Sequence, residues 1–174
     1  MQATDVLHDA IGRIRTLVRS AAKDLGPEAL SFRPGPEANS IAWLLWHLTR
    51  VQDSHLAEII GEDQVWVSGS WAAGLGRPAD PSDTGYGHSS DEVTGVRPER
   101  PEPLVAYHEA VAERTLDWLS SVSEQEMERI IDRSYDPPVS VGVRVTSVVS
   151  DNLQHVGQAH YLRGMVTRAG LTAP

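Results

Sequence analysis

A chain of 174 residues with 40% hydrophobic and 22% charged side chains has the composition of one globular domain, residues 1–174, that buries its own core. Its 24 acidic against 15 basic residues give a formal charge of −9, which repels phosphate backbones and argues against a nucleic-acid partner. Cysteine is absent, so disulfides, thiolate nucleophiles, zinc ribbons and iron–sulfur ligation are excluded, and any metal must be held by His, Asp, Glu or water.

Leu7, Ile11, Ile14, Val18, Ala21 and Leu25 recur at steps of three and four, which predicts a first amphipathic helix over residues 5–25 ending near Gly26-Pro27. Asn39 or Ser40 can cap a second helix that carries Ile41, Leu44, Leu45, Leu48, Val51, Leu56 and Ile59 to Gly61. The 40 or so residues between Glu62 and Pro101 far exceed a usual bundle connection of roughly two to eight. Their Trp66, Trp71 and Tyr86 favour an ordered cover over a pocket or a subunit contact, with one short helix opened by the capping-box pair Ser89 and Glu92. A third helix is predicted from Glu102 to about Ser121, and a short helical segment over Glu124–Ile131. The alternating Val139, Val141, Val143 and Val145 predict an extended crossing over residues 132–145, after which a last helix runs from about Thr146 to Arg168. Four long amphipathic segments with little strand signal make an all-α four-helix bundle, with a long loop between helices two and three. No stretch approaches 18 consecutive apolar residues, and Met1–Asp9 lacks a basic region followed by an apolar one, so the chain reads as cytoplasmic and away from membranes.

Seven histidines invite a search for pairs that helical spacing brings together. Asp151 and His155, four apart on the last helix, share a face and can offer one oxygen and one nitrogen to a divalent ion, with Asn152 and Gln154 beside them to orient a ligand. His47 sits between Trp43 and Val51 at i−4 and i+4, so it points inward. If helices two and four are neighbours, His47, Asp151 and His155 converge as two imidazoles and a carboxylate, the protein part of an open zinc site. The same residues also admit an ordinary reading, a hydrogen-bonded inward histidine and a simple i, i+4 electrostatic pair. His160 lies about 140° from His155 around the helix and His55 roughly 80° from His47, so neither joins the same ion. His88, in the loop run Gly85-Tyr86-Gly87-His88, is a reserve ligand or substrate contact, whereas His8 and His108 read as surface or packing residues. Arg50, Arg144 and Arg163 carry no assigned role, although one of them could hold a substrate carboxylate, and the Trp43–Trp46 pair reads as core or interface. No nucleophile elbow, phosphate loop, dinucleotide fingerprint or His-Glu-x-x-His occurs.

The run Asn39-Ser40-Ile41-Ala42-Trp43-Leu44-Leu45-Trp46-His47-Leu48, followed a hundred residues later by Asp151-Asn152-Leu153-Gln154-His155-Val156-Gly157-Gln158-Ala159, resembles the DinB-like superfamily. That group includes bacillithiol- and mycothiol-dependent transferases and mycothiol-dependent maleylpyruvate isomerases. Asp83–His88 and Asp136–Val139 are similar to segments of an uncharacterised branch. The resemblance implies a four-helix bundle, commonly dimeric, with a divalent metal such as zinc or nickel held by His47 from helix two and by Asp151 and His155 from the last helix. Many members carry histidine where this chain has Asp151, a change that lowers the ligand charge by one unit. It further implies transfer or isomerisation with a low-molecular-weight thiol, and a chain without cysteine requires that the sulfur arrive as such a cofactor. Fourteen arginines against one lysine suggest a GC-rich genome and so lean towards mycothiol. The competing expectation is a non-catalytic metal-binding or dimerising module. A homodimer acting on a small-molecule substrate is the assembly expected here.

Overall fold

Apolar side chains at helical spacing close the core, and the computed structural model describes residues 2–171. The elements in chain order are α1 (Ala3–Ala22), α2 (Pro27–Ser31), α3 (Ile41–Ile60), α4 (Val65–Ser68), α5 (Trp71–Gly74), α6 (Ser90–Thr94), α7 (Glu102–Ser121), α8 (Glu124–Met127), β1 (Ile130–Asp132), β2 (Val139–Ser140) and α9 (Val141–Arg168). The long helices α1, α3, α7 and α9 form an all-α four-helix bundle in which α3 packs on α9 and α7, and α1 on the same two helices from the other side. Ile11, Ile14, Val18, Leu44, Leu48, Leu104, Val111, Val156 and Val166 meet in its buried core. Among the described residues no helix is long and apolar enough to cross a membrane.

Local chemistry sets the boundaries. The Ser40 hydroxyl accepts from the Trp43 amide at 3.1 Å to start α3, and Gly61, at φ +72°, ends it in the left-handed conformation. Ser89 and Glu92 form the expected capping box at the start of α6. The first helix stops earlier than its apolar pattern, at Ala22, and Pro27 opens the separate short helix α2 that the pattern did not indicate.

The predicted extended crossing at 132–145 holds as far as Ser140 and is helix from Val141 on. Only Ile130–Asp132 and Val139–Ser140 pair, as a short antiparallel hairpin, and α9 already begins at Val141. Ser140 caps it by accepting from the Val143 amide, and Val141, Val145 and Val148 lie buried at helical spacing. Burial along one helical stripe outweighs the β preference of the alternating valines, and Val143 is left on the exposed side.

Residues 62–101 are held as an ordered connection by one buried arginine. Arg50 is fully buried in α3 and donates through Nε to the Asp83 carbonyl (2.9 Å) and through its terminal nitrogens to Gln64 Oε1 (2.8 Å), the Pro81 carbonyl (3.1 Å) and Tyr107 (3.1 Å). Asp53, one turn on, accepts from the Val65 and Trp66 amides at 2.9 and 2.8 Å, thereby capping α4, and from the Tyr107 hydroxyl at 2.8 Å. Trp66 is buried under the Arg50 guanidinium, as a cover should be, but Tyr86 is 93% exposed and covers nothing.

Candidate metal centre

The packing of α3 on α9 brings together the three residues singled out by spacing. One ligand atom each from His47, Asp151 and His155 lies within 4.8 Å of the others, and among the described residues this is a cluster able to hold an ion. His155 Nε2 stands 3.4 Å from Asp151 Oδ1. Two ligands bound tetrahedrally at about 2.1 Å from a zinc-sized ion are separated by roughly 3.4 Å.

Each imidazole is fixed by a hydrogen bond on its far nitrogen. His47 Nδ1 donates to the Thr84 carbonyl at 2.5 Å, and His155 Nδ1 donates to Gln158 Oε1 at 3.0 Å. Both rings are thereby set in the tautomer whose Nε2 carries a lone pair for an ion, the usual outer support of a metal-binding histidine. The His47 ring is also stacked on Trp43, with centroids 4.5 Å apart and 14° between planes, and meets the His155 ring nearly edge-on at 4.9 Å.

Electrostatics treat the two imidazoles differently. Burial holds the His47 imidazole below its ordinary pKa, which keeps it neutral. The hydrogen bond with Asp151 holds His155 above its ordinary value. Asp151 Oδ2 is buried with no hydrogen-bond partner. Two lone pairs and a carboxylate facing one another are mutually repulsive unless a proton or a cation lies among them, so the donor set fits a divalent ion.

Other residues weighed in the sequence lie elsewhere. His88 has both nitrogens engaged, Nδ1 by the Trp43 indole at 3.2 Å and Nε2 by Asp83 Oδ1 at 2.9 Å, so it offers no lone pair to a metal. Asn152 does not orient a ligand; its amide donates to Gln52 Oε1 at 2.6 Å in the core, and Gln154 folds back on Ser150. His55 accepts from Arg144 at 3.0 Å, His160 bonds the Leu17 carbonyl at 3.0 Å, His8 is exposed and His108 is buried between helices. None of the three arginines faces the centre as a free fork. Arg50 is saturated in the core, Arg144 is bound by His55, Glu58 and Asp132, and Arg163 caps the carbonyls of Ala21 and Lys23.

The model of the DinB superfamily matches residues 10–159, which spans all four long helices and all three candidate ligands. The chain belongs to the DinB superfamily. Metal binding is frequent in this superfamily. A conserved protein from Enterococcus faecalis has the same fold with a TM-score of 0.88 at 25% identity, covering 96% of this chain and 98% of that one. A DinB-like protein from Bacillus cereus ATCC 10987 shares the fold at a TM-score of 0.56 and 15% identity, over 92% of this chain and 89% of that one. No functionally curated protein matches the chain significantly.

Two supports of the candidate centre were not legible from ligand spacing. The Thr84 carbonyl is a backbone group, and no side-chain pattern announces it. Gln158 could have been found, because it stands three residues from His155 on the same helix, where side chains meet. Gly85 brings the Thr84 carbonyl close. It has φ +87°, and a Cβ there would lie 2.8 Å from Trp46 Cζ3 and 3.0 Å from His47 Nδ1.

Proposed function

We propose that this DinB-superfamily protein is a divalent-metal-dependent enzyme that transfers or isomerises with a low-molecular-weight thiol. The observation that carries the reading is the pair of histidines, each pinned through Nδ1, whose Nε2 sides converge across two helices with a carboxylate that keeps one buried oxygen unpartnered. Such a set fills three positions of an ion and leaves the rest for substrate. A bound ion supplies Lewis-acid charge that favours the deprotonated form of an incoming thiol or the polarised form of a carbonyl.

The chain's own residues do the positioning. Thr84 and Gln158 hold the imidazoles so that they cannot rotate away when substrate enters. Trp43 closes one side of His47 and shields it from water. Asp151 is poised beside His155 to accept a proton released by a reactant, or to stabilise the positive charge of its imidazole neighbour. Because the chain has no cysteine, sulfur chemistry here needs an external thiol. Zinc or nickel suits the nitrogen and oxygen donors, and mycothiol is the thiol to try first.

The test is elemental analysis of untagged protein beside a His47→Ala, His155→Ala double variant, followed by thiol consumption with an electrophile such as monobromobimane. About one ion per chain, lost in the double variant, together with metal-dependent thiol consumption supports the reading. No ion after reloading with zinc or nickel overturns it, and an ion without turnover for any thiol leaves a metal-binding module.

A further inference from the structure

Asp151 lies at a boundary, since it belongs to the metal cluster and also lines an open groove of about 1080 Å³ between α1 and α9. That volume lies just above what small-molecule sites occupy, roughly 300–1,000 Å³. Ala3, Val6, Leu7 and Ala10 of α1 form one wall, and Val143 and Val149 of α9 contribute to the other, with Met127 between them. Val6 and Val143 are 53% and 52% exposed, so the groove presents apolar surface to solvent.

The remaining lining residues look polar in sequence but are turned inward on their own helix. The Thr146 hydroxyl donates to the Gly142 carbonyl at 2.8 Å and that of Ser147 to the Val143 carbonyl at 3.0 Å. The Ser140 hydroxyl accepts from the Val143 amide at 3.3 Å as the helix cap, and the Gln154 amide folds onto the Ser150 hydroxyl and carbonyl. What faces the groove is therefore mostly apolar, and among the described residues no Lys, Arg or His lines it. The pocket of about 530 Å³ beyond Gln158 differs, being lined by Glu37, Asn39, Gln158 and Tyr161.

We infer that the groove between α1 and α9 binds an uncharged reactant with an aliphatic or aryl tail, whose reacting head lies at Asp151 beside the metal centre. The assignment rests on the reading of that centre as a metal site. It separates the partners of the reaction: an apolar reactant from the Asp151 side, and a polar one from the pocket beyond Gln158. A carboxylate substrate is disfavoured in the groove, since none of the described lining residues offsets its charge and Asp151 repels it.

The test is equilibrium binding of the uncharged fluorophore N-phenyl-1-naphthylamine to the whole protein, metal-free and zinc-loaded, with displacement by 1-octanol, octanoate and 1-octanethiol. Expected are one probe per chain and displacement by 1-octanol roughly tenfold better than by octanoate. Ser147→Trp, which fills the groove from an exposed position, and Val143→Glu, which charges it, should each weaken the probe about tenfold, with circular dichroism checking that both fold. With zinc, 1-octanethiol should outcompete 1-octanol by about tenfold, an advantage lost in His155→Ala. Unchanged probe binding in both folded variants, or octanoate equal to 1-octanol, overturns the groove. Equal displacement by thiol and alcohol in the zinc-loaded protein leaves the groove standing and overturns the thiol reading of the metal. A wild-type dimer that excludes the probe and dissociates in Ser147→Trp assigns the groove to a second copy and overturns the proposal.

Discussion

The carbonyl of Thr84 accepts a 2.5 Å hydrogen bond from His47 Nδ1, tying the long connection between α3 and α7 to the most buried member of the candidate metal centre. The contact exists because Gly85 turns the backbone at φ +87° against the Trp43, Trp46 and His47 rings. Gly85→Ala would place a methyl 2.8 Å from Trp46 and 3.0 Å from His47, so the segment must lift away and release Nδ1. Metal affinity should fall about 10- to 100-fold, the usual effect of losing such an outer support. Gly87→Ala is the control, having φ +77° but nothing within 4 Å of the new methyl, and should cost backbone strain of about 1–2 kcal/mol with metal affinity retained. Competition with a chromophoric chelator measures both; equal zinc affinity in the two variants would show that Thr84 does not position His47.

Metal addition should stabilise the fold measurably. An ion bound only by the folded chain at about 100 times its Kd contributes roughly 2.7 kcal/mol. For a chain of this size that is a rise in Tm of about 5–10 °C. The rise should shrink as pH falls through the imidazole range, because His155 holds its proton above the ordinary value beside Asp151 and protons then compete with metal. Thermal scans with and without a chelator should show no metal response in the His47→Ala, His155→Ala double variant. Gln158→Leu should keep a response with weaker affinity, since only the support of His155 is lost.

The bundle and the three converging residues were readable because both depend on helical spacing, which the sequence prints directly. Asp151 and His155 share a face by counting, and Ser40 and Gly61 bracket α3 by their own chemistry. The misread stretch is 141–145, where alternating valines satisfy a strand period and Val141, Val145 and Val148 at the same time satisfy a helical one. Only the presence of α1 and α3 to bury that stripe decides between them. The role of Arg50 is illegible in the sequence for a similar reason. A lone arginine on an apolar helix reads as a substrate anchor, and its carbonyl partners at Asp80, Pro81 and Asp83 lie some 30 residues away in a segment with no regular pattern.

Arg50 and Asp53 should therefore govern stability rather than turnover. Both are buried, and removing one charge leaves the other without compensation at a cost of about 3–5 kcal/mol. Asp53→Ala additionally uncaps α4 by freeing the Val65 and Trp66 amides. Tyr107→Phe removes one hydroxyl from the same cluster and should cost only about 1–2 kcal/mol. Urea midpoints at constant slope report the difference. A loss below about 1 kcal/mol for Asp53→Ala would mean that the connection is held by its apolar contacts alone.

His108 makes the fold sensitive to acid. Its ring is buried in α7, and Nδ1 is paired with the Thr49 hydroxyl at 3.1 Å. Because that hydroxyl already donates to the Leu45 carbonyl, the imidazole Nδ1 is the donor, and Nε2 is left as a bare acceptor without a partner. Burial pushes the imidazole pKa down to about 4 from its ordinary 6.5. Above pH 6.5 the ring is neutral in both folded and unfolded chains and contributes no pH dependence. Between pH 6.5 and 4 the unfolded chain takes up a proton that the folded chain refuses, so stability falls as pH falls, by up to about 3 kcal/mol at the lower end. His108→Leu removes the titrating group while Thr49 keeps its bond to Leu45, so the variant should lose less stability than the parent over that interval. Urea midpoints of the metal-free proteins at pH 7.0, 5.5 and 4.5 measure this, and parallel declines in parent and variant would show that His108 is not the group that opens the fold to acid.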